Sequence, residues 1–104
     1  MEEIVATNVF DGRQLTAARA LAEFTLLELA EAANVTGRTI HRLEIGGAVH
    51  VAAKKRHGHV SRGVWNRILE ALARRRVELV PEGEDRGSGA RWIEPRARRI
   101  QGTP

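Results

Sequence analysis

Four times along this chain an apolar residue stands directly before an Asp, Thr or Ser, and a second apolar residue follows four positions after that polar one. The sets are Phe10-Asp11 with Leu15, Phe24-Thr25 with Leu29, Val35-Thr36 with Ile40, and Val60-Ser61 with Trp65. A side-chain oxygen at the polar position can accept an orphan amide of a helix's first turn, while the flanking apolar pair closes over it as a hydrophobic staple. Gln14 and Glu28 stand three residues after Asp11 and Thr25, where they complete capping boxes. One such set is weak; four at one spacing predict helices beginning after residues 11, 25, 36 and 61.

The second and third of these helices are close together. Ala33-Asn34-Val35 lies between them, and Asn is the non-glycine residue that best tolerates the left-handed backbone of a tight turn. Leu29, Ala30 and Ala33 can then meet Val35, Ile40 and Leu43, with the small Ala30 permitting a steep, close crossing. Arg38, Thr39, His41 and Arg42 fall outside that apolar face, and Arg38 and Arg42, four residues apart, share one side of the helix. Two short amphipathic helices joined by a turn of three or four residues form the helix-turn-helix arrangement of DNA-binding proteins.

Over roughly residues 13–80 the sequence resembles the Cro/repressor (XRE-like) helix-turn-helix family. Its most specific stretches are Leu-Leu-Glu-Leu-Ala-Glu-Ala-Ala-Asn-Val-Thr (26–36) and Thr-Ile-His-Arg-Leu-Glu-Ile-Gly (39–46). The resemblance implies a scaffold helix at 25–33 and a recognition helix at 37–45. It implies base contacts from Gly37, Arg38 and Arg42, with His41 a further candidate, and phosphate contacts from Thr36 and Thr39; Thr25 is a further candidate phosphate contact. It also implies an ion pair between Arg19 of the first helix and Glu44 at the end of the recognition helix. Two positions depart from the family pattern: Leu26 stands where a DNA-contacting Gln is common, and Gly37 has no side chain with which to read a base.

Charge is distributed unevenly. Residues 1–50 carry four Arg and no Lys against seven acidic residues, a net −3, whereas residues 51–104 carry thirteen basic against six acidic, a net +7. The densest basic run is Lys54, Lys55, Arg56 and Arg62, with His57 and His59 between, and such a run suits phosphate neutralisation. It lies in a connection, residues 46–60, that is long for a small helical domain. The expectation is a partly ordered basic loop beside the recognition helix. Ala48–Val51 could form an extended piece that pairs with His59-Val60 as a small wing.

The fourth helix, about 61–75, carries Val64, Trp65, Ile68, Leu69 and Leu72 as an apolar stripe. Beyond it the period changes to that of strands at 77–80 and 90–93, with a Gly- and acid-rich segment between: a β-hairpin pattern. An isolated hairpin is marginal in water. It needs either the chain's own helices or a second copy, and Val77, Leu79, Trp92 and Ile93 are the candidate homodimer contacts. Residues 1–9, with Ile4 and Val5, could add a strand, and Arg96, Arg98 and Arg99 lie in a basic tail at 95–104.

The expected fold class is mainly α: a helix-turn-helix bundle of four to five helices with a C-terminal β-hairpin. Its DNA-binding domain would span residues 1–80 and its possible dimerisation element residues 77–94. No Cys is present, which removes disulfides, thiolate metal sites and cysteine nucleophiles. No nucleophile triad, P-loop or dinucleotide motif is found. His50, His57 and His59 share a basic loop without an acidic partner, a poor setting for a cation. No enzymatic activity, cofactor, metal or membrane span is therefore expected. The function expected is sequence-specific DNA binding by a transcriptional regulator, a repressor by type, acting in the cytoplasm on the nucleoid as a homodimer on a palindromic operator. Two alternatives are an antitoxin-type protein that also binds a protein toxin, and a protein-interaction module on the same fold.

Overall fold

Each of the four caps holds its helix in the computed structural model, which describes residues 10–95. Helix α1 (Gly12–Ala22) starts from a complete Asp11/Gln14 capping box and α2 (Leu26–Ala33) from a complete Thr25/Glu28 box. Thr36 accepts the Thr39 amide at the start of α3 (Gly37–Ile45), and Ser61 accepts the Val64 amide at the start of α4 (Arg62–Arg74). The inner member of each staple, Leu15, Leu29, Ile40 and Trp65, is buried. The Phe10 and Trp65 rings meet with centroids 5.6 Å apart, which joins the first staple to the last. Asn34 ends α2 in left-handed backbone, φ 58°, and the three-residue turn 34–36 leads into α3.

One core runs through all four helices. Leu15, Ala18, Leu29, Ala30, Ala33, Ile40, Ile68, Ala71 and Leu72 fill it, closed at its edges by Phe24, Val49, Val60 and Val77. Val35 and Leu43, expected in the α2–α3 contact, are half-buried against it.

The expectation of a mainly α chain is corrected: the described residues form a mixed α/β fold, a helical core with three two-stranded sheets. Strand β1 (Phe10–Asp11) pairs antiparallel with β2 (Ala48–Val49), and β3 (Val51–Ala52) pairs parallel with β4 (Val60–Ser61). The extended piece expected near 48–51 is therefore held on both sides, and its second pairing is parallel and displaced towards Ser61. The strands β5 (Val77–Val80) and β6 (Gly89–Trp92) form the expected hairpin, with Val77 opposite Trp92 and Leu79 opposite Ala90. Between them a Gly83–Arg86 bridge ties the loop into a turn.

This hairpin folds back on its own helices. Its apolar residues pack on the core built by α1 and α4, and Val77 has no exposed surface, so it has nothing to offer a second copy. Leu79 and Trp92 are half-buried, and Ile93 is 38% exposed. The outward face instead carries a Glu78–Arg91 ion pair at 2.7 Å.

Gln14 fixes the hairpin to α1. It is 4% exposed; its Nε2 donates to the Val80 and Gly89 carbonyls, each at 3.0 Å, and its Oε1 accepts the Asp11 amide at 2.7 Å. All of the amide's polar atoms are thereby used, and two carbonyls at the loop end of the ladder gain a donor. Gln14→Leu should cost about 2–4 kcal/mol by orphaning these groups. Chemical denaturation measures it, and a loss below about 1 kcal/mol would mean that water replaces the amide. The N-terminal strand expected at residues 1–9 and the tail arginines lie outside the described residues. Among those described, no helix is long and apolar enough to cross a membrane.

Candidate nucleic-acid interface

Helix α3 is seated by its two ends. At its C-terminal end, Arg19 of α1 grips Glu44 with two hydrogen bonds, Nε to Oε2 at 2.7 Å and a second to Oε1 at 3.1 Å, and a third reaches the Phe24 carbonyl. This is the pair the family resemblance implies. The Glu44 hydrogen bonds push the Arg19 pKa above its ordinary value, so the guanidinium stays charged. Beside the pair, Gly12 presses against the last turn of α3: a Cβ there would stand 1.9 Å from the Leu43 carbonyl oxygen, and the Gly12 amide donates to the Gly47 carbonyl at 2.8 Å. The N-terminus of α1 thus meets the C-terminus of α3, a favourable meeting of helix dipole ends.

At its N-terminal end, α3 lies under α2. A Cβ on Gly37 would fall 2.9 Å from Leu27 Cδ2 and 3.3 Å from Leu26 Cδ2. A side chain at Gly37 would thus meet only the movable ends of two leucine side chains. The Thr36 and Thr39 hydroxyls are 3.1 Å apart at this end. Thr25 is exposed at the start of α2, but its capping partner Glu28 places a carboxylate at that helix end, which disfavours a phosphate there.

Arg38, His41 and Arg42 are exposed on the outer side of α3. Arg42 and Thr39 also form one wall of an open cleft of about 470 Å³, whose opposite wall is the loop carrying His50, Lys55, Arg56, His57 and His59. Contacts within the loop hold its shape: Val60 donates to the His50 carbonyl, Arg56 and His59 form a bridge, and the His50 and His59 rings pack at a tilt of 47° with centroids 5.7 Å apart. His59 Nδ1 lies 3.1 Å from the His57 carbonyl oxygen. Among the described residues, no carboxylate lines the cleft. Lys54 stands exposed on the same loop, and Arg62 is exposed at the first position of α4.

The remaining cations among the described residues are engaged within the protein. Arg67 and Arg74 of α4 donate to the Ala33 and Ala32 carbonyls at the end of α2, and Arg75 donates to the Ala22 carbonyl ending α1 while lying 4.1 Å over the Phe24 ring. Arg13 pairs with Asp11, Arg76 with Glu94, Arg86 with Asp85 and Arg91 with Glu78. Among the described residues, the cations left without such a partner are Arg38, Arg42, Lys54, Lys55, Arg56 and Arg62. Sequence reasoning missed the helix-end role of the α4 arginines. Their spacing along one helix was the available signal, but the carbonyls that they reach come from other parts of the chain.

Compared with known families and curated proteins, the chain matches no family model and no curated sequence.

Proposed function

We propose that this protein binds double-stranded DNA sequence-specifically as a transcriptional regulator of the repressor type, with α3 in the major groove. The observation that carries this reading is the division of the cations. Among the described residues, those without a partner within the protein lie on α3, on the loop across the cleft from it and at the start of α4, while the others donate to backbone carbonyls or pair with acidic side chains. A guanidinium held out from a helix surface can donate twice to guanine O6 and N7. The Lys54–Arg56 run and Arg62, with the Thr36 and Thr39 hydroxyls at a helix N-terminus, suit backbone phosphates. Gly37 leaves room for the Leu27 side chain at the start of α3, and His41 is a further exposed donor beside Arg38 and Arg42.

A homodimer on a palindromic site remains part of the proposal. Its contacts would come from Ile93 and from exposed parts of Leu79 and Trp92, without Val77.

Selection of bound fragments from a random duplex pool tests the reading. The expected result is an enriched motif whose binding weakens steeply with salt, and a two-fold motif would report two subunits. Binding without sequence preference, or no salt-dependent retention, would reject it in favour of a protein-interaction role.

A further inference from the structure

A large apolar side chain stands in solvent beside the start of the proposed reading helix. Leu27 is 70% exposed, the most exposed large apolar residue among those described. Its Cδ2 covers the place where a side chain on Gly37, the first residue of α3, would begin. Arg38 follows directly and is exposed as well. An apolar surface and a guanidinium therefore sit together at the leading end of one helix, and the missing side chain at position 37 leaves Leu27 room to reach forward.

The geometry points to Leu27 as a specificity-determining residue that reads the C5 methyl group of a pyrimidine next to the base contacted by Arg38. This inference rests on the DNA-binding reading above. The major groove presents one apolar feature, the methyl of thymine, and cytosine acquires the same group when methylated at C5. A branched aliphatic side chain matches it by excluding water from both surfaces. The exposure of Leu27, costly in the free protein, becomes burial in the complex. Ile45, similarly exposed at 69%, lies at the opposite end of α3, away from the end that carries Arg38.

The test uses the full chain and the best fragment from the random-pool selection, with each thymine replaced in turn by deoxyuridine and each cytosine by 5-methylcytosine. At one position, loss of the thymine methyl should weaken wild-type binding by about fourfold, the effect of leaving one methyl group in water. Leu27→Ala should bind the thymine and deoxyuridine duplexes equally, both at about the reduced affinity. If the group read is instead on 5-methylcytosine, methylation should strengthen wild-type binding and leave Leu27→Ala unaffected; this outcome also supports the inference and identifies the base. Leu27→Ala should melt with wild type because the side chain is exposed, and Glu70→Ala, at an exposed position of α4, serves as a control with unchanged methyl dependence. A methyl effect that persists in Leu27→Ala, or no methyl effect at any position, overturns the inference while leaving the DNA-binding reading intact. Failure to recover any preferred fragment overturns both.

Discussion

Gly12→Ala is expected to destabilise the protein by at least about 3 kcal/mol, the range in which core overpacking with backbone displacement falls. The added methyl would stand 1.9 Å from the Leu43 carbonyl oxygen and 2.7 Å from that of Glu44. Both are backbone atoms of the last turn of α3, so no side chain can swing aside to make room. The helix end would have to withdraw from α1, which lengthens the Gly12–Gly47 hydrogen bond and pulls on the Arg19–Glu44 pair. For a domain of about 100 residues this corresponds to a fall in melting temperature of roughly 12 °C or more. Gly63→Ala is the control. It lies within α4 with nothing within 4 Å of the new Cβ, so it should be neutral or stabilise slightly through helix propensity. Equal melting of Gly12→Ala and wild type would mean that α1 and α3 do not approach as described.

The second large effect separates base reading from phosphate clamping. Arg38→Ala should lower affinity for the selected site by about tenfold or more and flatten the preference at one base pair, since a good bidentate contact discriminates by about 1–3 kcal/mol. Lys54→Ala should weaken every sequence by a similar factor and reduce the slope of log affinity against log salt by about 1. Arg91→Ala, whose guanidinium is engaged by Glu78 on the outer face of the hairpin, should do neither. Titrations of matched and mismatched duplexes at two salt concentrations read all three variants. A uniform loss in both Arg38→Ala and Lys54→Ala would falsify the assignment of the two roles.

The parts of this fold legible in the sequence are those encoded by residues close together along the chain. Thr25 with Glu28, or Ser61 with Val64, is a bond over three positions, and Asn34 declares its turn by itself. The hairpin strands are equally local, because alternation at 77–80 and a Gly-rich connection mark them. The two-residue strands at 10–11, 48–49, 51–52 and 60–61 are too short to show a period, and their partners are distant, which is why a mainly α chain was expected. The importance of Gly12 is invisible for a related reason. Its backbone takes no left-handed angle, and the only demand for glycine comes from the end of a helix more than thirty residues away. Of the candidate site, the outward placement of Arg38 and Arg42 followed from helical spacing. The division between bracing and unpartnered arginines did not, since every one of them reads alike until its acceptor is known.

One turn of α1 joins three parts of the molecule. Asp11 pairs with the start of the basic loop, Gly12 abuts the end of α3, and Gln14 holds the loop end of the hairpin. The hairpin and the exposed arginine helix thus share one anchoring point at the start of α1.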